Sequence, residues 1–137
     1  MSKTGKEILE VSRVIAVVGA SRDPNKAGGS VPEGLQQRGF RIIPINPFAD
    51  TLFGERVYRS LAEVPERIDI VDVFRPAAEA PDIARQAVAV GAKALWLLLD
   101  IRSDEARRIA EAAGIDYVED ECTAVTSSLY RIKKAAA

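Results

Sequence analysis

Val14-Ile15-Ala16-Val17-Val18-Gly19-Ala20-Ser21-Arg22-Asp23-Pro24-Asn25-Lys26-Ala27-Gly28-Gly29-Ser30 is the stretch on which the fold turns. Its first five residues are apolar and mostly β-branched, without the polar alternation of a strand that has one wet face. Such a run belongs to a strand covered on both sides, as in a parallel sheet. Gly19 ends it, and a glycine-rich loop leads into a helix that Gly39 closes after Arg38. Two starts for that helix remain open: a capping box at Ser30-Val31-Pro32-Glu33, or an earlier turn near Ala27.

Outward from this unit the alternation repeats. Arg41-Ile42-Ile43-Pro44-Ile45 reads as a second strand, Asp69-Ile70-Val71-Asp72-Val73-Phe74 as a third, Lys93 to Leu99 as a fourth and Ile115 to Val118 as a fifth. Helices are expected over Pro76 to Val90, from Ser103 to Gly114, and over Thr123 to Lys134. The middle connection carries a short extended piece at Gly54-Glu55-Arg56-Val57-Tyr58 and one helical turn at Ser60-Leu61-Ala62-Glu63. Strands alternating with helices require right-handed crossovers and a parallel sheet with helices on both faces. The expectation is a single α/β, Rossmann-like domain over residues 1–137, with a core at about 14–122 and strand order 3-2-1-4-5. In such sheets ligands lie beyond the carboxyl ends of the strands at the switch point, so the residues after each strand are the ones to weigh.

Composition narrows the chemistry. The chain has 137 residues, 19 Lys+Arg against 20 Asp+Glu, one cysteine and no histidine. Without histidine there is no Ser-His or Cys-His nucleophile and no phosphohistidine, and with one cysteine no thiolate/imidazole zinc site. No metal site and no catalytic residues are therefore expected. A lone Cys122 excludes an internal disulfide framework and suits a reducing cytoplasm. Balanced charge gives no general pull toward nucleic acid. No stretch approaches the roughly 20 apolar residues of a membrane span, and Met1 to Glu10 lacks a signal peptide's apolar centre, so a soluble, cytoplasmic chain is expected.

The loop after strand 1 has the makings of a phosphate site. Gly19 permits a tight turn, Ser21 offers a hydroxyl, Arg22 and Lys26 bring positive charge, and a helix N-terminus near Ala27 presents unpaired N–H groups. The loop does not fit NAD. The nicotinamide fingerprint Gly-x-Gly-x-x-Gly has Ser21 at its third position and Pro24 at its sixth, and strand 2 ends in Ile45-Asn46-Pro47 without a carboxylate for the ribose. No Gly-Lys-Ser/Thr follows, so it is not a P-loop. After strand 3, Phe74 offers a wall for a planar base and Arg75 a guanidinium for phosphate.

Val17-Val18-Gly19-Ala20-Ser21, Ile43-Pro44-Ile45-Asn46-Pro47, Gly54-Glu55-Arg56-Val57-Tyr58 with Ser60-Leu61, and Asp69 to Arg75 occur in that order. The combination resembles the small stand-alone CoA-binding proteins, similar to the CoA-binding domain of the succinyl-CoA synthetase alpha subunit and of NDP-forming acyl-CoA synthetases. The resemblance runs from about Val14 to Cys122. It implies a Rossmann-like domain that binds coenzyme A or an acyl-CoA, with phosphates on Gly19, Ala20, Ser21, Arg22, Lys26 and Ala27. The adenosine end would lie along Ile45, Asn46, Pro47, Phe74 and Arg75.

Two segments depart from the family pattern. Trp96-Leu97-Leu98-Leu99-Asp100 replaces Trp-x-Gln-x-Gly, and Asp120-Glu121-Cys122 replaces Asp-Arg-Cys. Leu98 and Glu121 thus remove a polar group and a cation where the pantetheine or acyl end should point. A non-enzymatic CoA binder is the leading expectation. A degenerate synthetase-like interaction or regulatory module with optional nucleotide binding is the alternative. Cys122 is expected to be inert and partly buried, Trp96 to be core, and the Asp116-Glu119-Asp120-Glu121 cluster to be a solvated acidic strand end.

Overall fold

The computed structural model describes residues 3–135. A helix absent from the sequence expectation comes first. Thr4 caps α1 (Gly5–Val11): its hydroxyl accepts the Glu7 N–H at 3.2 Å, and the Glu7 carboxylate accepts the Thr4 N–H at 3.0 Å. This reciprocal box satisfies two of the otherwise orphaned donors at the helix start, and Ile8 and Leu9 anchor the helix in the core.

Next come β1 (Val14–Val18), α2 (Ala27–Gln37), β2 (Arg41–Ile45), a small hairpin of β3 (Thr51–Leu52) and β4 (Glu55–Arg56), and a 3-10 turn at Leu61–Glu63. They are followed by β5 (Ile70–Val73), a 3-10 turn at Ala77–Glu79, α3 (Ala80–Ala89), β6 (Ala94–Leu97), α4 (Asp104–Ala112), β7 (Asp116–Val118) and α5 (Thr123–Leu129). The helix expected from Pro76 becomes α-helical only at Ala80. Pro81 has no N–H to give the Ala77 carbonyl and is tolerated only in a first turn. The final helix stops at Leu129 rather than Lys134. The chain turns through Arg131 at a φ of 53° so that Ile132 is buried and its N–H bonds back to the Ser127 carbonyl at 2.8 Å.

The parallel five-stranded sheet is present, but the expected order 3-2-1-4-5 is corrected. The order is β2-β1-β5-β6-β7, so the third long strand pairs with the first, Ile15 opposite Ile70 and Val18 opposite Val73. The place beside β2 is taken by Tyr58, whose N–H bonds to the Pro44 carbonyl at 3.0 Å and whose carbonyl accepts from Asn46 at 3.1 Å. Pro44 explains the exclusion. Its nitrogen faces this outer side and has no hydrogen to donate, so β2 suits an edge. β5 is buried at every position and takes the central place instead.

Alternation along the strands makes two cores. Ile15, Val17, Ile70 and Trp96 pack with Ile8, Leu9 and Leu35 on the face covered by α1, α2 and α5. Ala16, Val71, Val73, Leu95 and Leu97 pack with Ile83, Ala84 and Ala87 on the face covered by α3 and α4. Trp96 is fully buried, as expected, and its indole N–H donates to the Glu121 carbonyl at 2.9 Å. Among the described residues no helix is long and apolar enough to cross a membrane.

Candidate functional site

The corrected order puts the switch point between β1 and β5, and there the backbone is packed tightly. Gly19 has a φ of 93°, and a Cβ on it would stand 2.9 Å from the Phe74 carbonyl oxygen and 3.0 Å from Arg75 Cδ. A Cβ on Gly28 would be driven into the Gly19 carbonyl oxygen, and one on Gly29 into that of Asp23. Glycine at these positions lets α2 begin directly against the β1 turn.

α2 begins at Ala27 with Lys26 as N-cap and no side-chain cap, settling the start in favour of the earlier turn. Pro32 lies inside it and cannot bond to the carbonyl four residues earlier, which is Gly28. That freed carbonyl accepts the Ser21 N–H at 3.0 Å, fastening the loop to the helix. The Ser21 hydroxyl accepts the Asp23 N–H at 3.1 Å. The N–H groups of Ala27 and Gly28, in the first turn, have no intrahelical acceptor. They give the site its partial positive charge, reinforced by Lys26, which has no ion-pair partner among the described residues.

A cavity of about 930 Å³ opens at this point. Gly19, Ala20, Ser21, Lys26, Ala27, Ile45, Asn46, Pro47, Phe74 and Arg75 all line it. Arg22, the remaining residue read from the sequence, is exposed and stands outside the lining. The loop turns outward at Arg22 because Asp23 must come back to accept the Lys26 N–H at 3.1 Å.

Asn46 lines the cavity, but its amide is spent on the scaffold. Nδ2 donates to the Ala20 carbonyl at 2.8 Å, and Oδ1 accepts from Phe48 and Ala49 at 2.7 and 2.8 Å. It locks the turn after β2 to the turn after β1. Arg59 was missed from the sequence. It reaches back to the carbonyls of Asn46 and Ala49 and pairs with Asp50 at 3.0 Å, holding up the same turn. On top of that turn Phe48 is 88% exposed at the cavity rim. Arg75 is held by Glu79 in a two-point pair, Nε to Oε1 at 3.1 Å and Nη2 to Oε2 at 2.8 Å. This pairing holds the Glu79 carboxyl below its ordinary range and raises the guanidinium's.

The far wall was also invisible in the sequence. Glu79, Asp82, Ile83 and Gln86, with Leu98 after β6, close the cavity on the α3 side. Leu98 thus lines the cavity, whereas Glu121 and the half-buried Cys122 are not part of the lining. Glu121 sits on the other face of the sheet, where its carbonyl serves Trp96. The expected acidic cluster is split: after β7, Arg107 meets Glu119 at 3.1 Å and Arg102 meets Asp120, while Asp116 stands at the strand's opposite end, 3.6 Å from Lys3.

Comparison with known proteins bears on the family and the fold. The model of a family described as a CoA binding domain matches residues 13–128. An uncharacterized protein of Bacillus subtilis, YneT, is 34% identical over 124 residues, which is 90% of this chain and 92% of that one. An ADP-forming acetate–CoA ligase II of Archaeoglobus fulgidus is 31% identical over 99 residues, 71% of this chain but 15% of the ligase. A solved Thermus thermophilus protein, cell-free ID.343, superposes with a TM-score of 0.87 at 35% identity, covering 93% of this chain and 98% of that one.

Proposed function

We propose, from the premise that the chain belongs to the CoA binding domain family, that it binds coenzyme A or an acyl-CoA and performs no covalent chemistry itself. The observation that carries this is the meeting, in one cavity at the switch point, of the uncapped α2 N-terminus, Lys26 and Arg75. Backbone N–H groups at a helix start suit a pyrophosphate, and a cavity of this size takes an extended small molecule. The phosphates lie on Ala20, Ser21, Lys26 and Ala27. The adenosine end runs along Ile45, Pro47 and the exposed ring of Phe48. Binding without turnover is supported by the absence of histidine from the sequence.

Titration calorimetry with CoA, dephospho-CoA and ADP tests the proposal, and no heat from millimolar CoA would end it. Lys26→Ala is expected to weaken CoA binding about three- to tenfold and to make its salt dependence shallower, because one phosphate contact is lost. Glu79→Gln is expected to act in the opposite direction. With its competing carboxylate gone, Arg75 can turn to phosphate, and CoA should bind about threefold more tightly in the same titration.

A second reading, an interaction module, has one observation in its favour: Val125 and Leu129, one turn apart on α5, are 63% and 70% exposed. Recovery of a stoichiometric partner independent of added CoA, and its loss in Val125→Ser with Leu129→Ser, would favour that reading.

A further inference from the structure

The two arms of the cavity differ in charge. The α2 arm offers Lys26 and unpaired N–H groups. The α3 arm is floored by Ile83, 5% exposed, and the half-buried Leu98. At its edge Arg75 and Glu79 cancel one another in their two-point pair. Asp82 has no cation at ion-pair distance among the described residues, and its Oδ2 accepts only the Gln86 amide at 2.8 Å. The α3 arm is therefore apolar below and net negative at its rim.

A polyphosphate settles at the α2 arm, which leaves the α3 arm for the uncharged end of the ligand. We infer, resting on the CoA reading above, that this arm takes the pantetheine and acyl end and that Asp82 selects there against a carboxylate. The ligands are then CoA itself or the thioester of a short neutral acid, seated against Ile83 and Leu98. Thioesters of dicarboxylic acids are disfavoured. A second carboxylate brought close to Asp82 meets like-charge repulsion, which at a cavity rim and low salt weakens binding by about tenfold.

The test is calorimetric titration of the protein with CoA, propionyl-CoA and succinyl-CoA in low-salt buffer, repeated at high salt and with Asp82→Asn. Propionyl-CoA is expected to bind about as well as CoA, and succinyl-CoA about tenfold more weakly. That ratio should fall toward one in Asp82→Asn, and in the unaltered protein at high salt, a readout that needs no variant. Succinyl-CoA binding as tightly as propionyl-CoA would overturn this inference while leaving the CoA reading intact. So would a ratio that neither the substitution nor salt moves. Absence of heat with all three ligands would overturn the CoA reading, and this inference with it.

Discussion

Gly28→Ala is expected to destabilise the protein by about 2–4 kcal/mol and to abolish measurable CoA binding. Helix propensity alone points the other way, since alanine inside a helix is favoured over glycine by about 1 kcal/mol. Packing decides the sign. The added methyl would overlap the Gly19 carbonyl oxygen, which is backbone and cannot swing aside. Relief requires α2 to lift away from the β1 turn, and overpacking of this kind costs about 1–3 kcal/mol or more. The lift also breaks the bond from the Ser21 N–H to the Gly28 carbonyl and moves the Ala27 and Gly28 N–H groups at the cavity lining. Gly34→Ala, in the same helix, is the matched control. Its methyl would meet only Ala124 Cβ at 3.9 Å, so stability should be unchanged or rise by up to about 1 kcal/mol. Urea unfolding of both variants, with CoA titration of each, checks the pair.

The second large effect concerns Asp72. It lies in the middle of β5 with no exposed surface, one oxygen accepting the Thr123 hydroxyl at 2.8 Å and the other, Oδ1, without a partner. Burial pushes its carboxyl up to about 7, and the Thr123 bond only partly offsets this. The native state thus holds the proton more tightly than the unfolded chain, whose aspartate titrates near 3.9. The sign follows from linkage. Below about pH 4 both states are protonated and the group costs nothing. Between about pH 4 and 7 the unfolded chain ionises first, and stability falls by up to about 1.4 kcal/mol per pH unit. Above about 7 the loss is complete. Asp72→Asn cannot ionise, so its stability should lack this component and exceed that of the unaltered protein by about 3 kcal/mol at pH 8. The two should converge near pH 4 to 5, where the unpaired amide of asparagine offsets any gain. Denaturant unfolding of both proteins across pH 4 to 8 reads the difference directly.

Asp72 also shows where sequence reading stops. Its place in a strand was plain from the flanking Ile70, Val71 and Val73. That its side chain would be sealed between Thr123 and Trp96 depended on α5 docking over β5 and β6, contacts made across more than 20 residues. Local signals located the five long strands, the switch-point loop and several residues that line the cavity there, because apolar runs, glycines and prolines act over a few residues. Strand order is set by pairing at a distance, which is why the expected order and the order in the structure differ. Pro44 carried the missed hint, since a strand with a proline at its centre belongs at an edge. Thr4-x-x-Glu7 was likewise a readable cap for α1. No comparable local signal existed for Asn46, a residue of ligand-binding type whose amide is wholly engaged by backbone. None existed either for Asp82 and Gln86, which reach the cavity only because α3 crosses over the sheet there.

The segment laid along β2 has a further consequence, for behaviour in crowded solution. A parallel sheet ends in two strands with unsatisfied hydrogen-bonding groups, each a template for a foreign strand. On the β2 side the Tyr58 bridge and the nitrogen of Pro44, which can donate nothing, leave no continuous ladder to copy. On the β7 side the strand is three residues long, and Lys3 sits against Asp116 at its start. The same connection that props up the cavity rim therefore also guards the molecule against edge-to-edge aggregation.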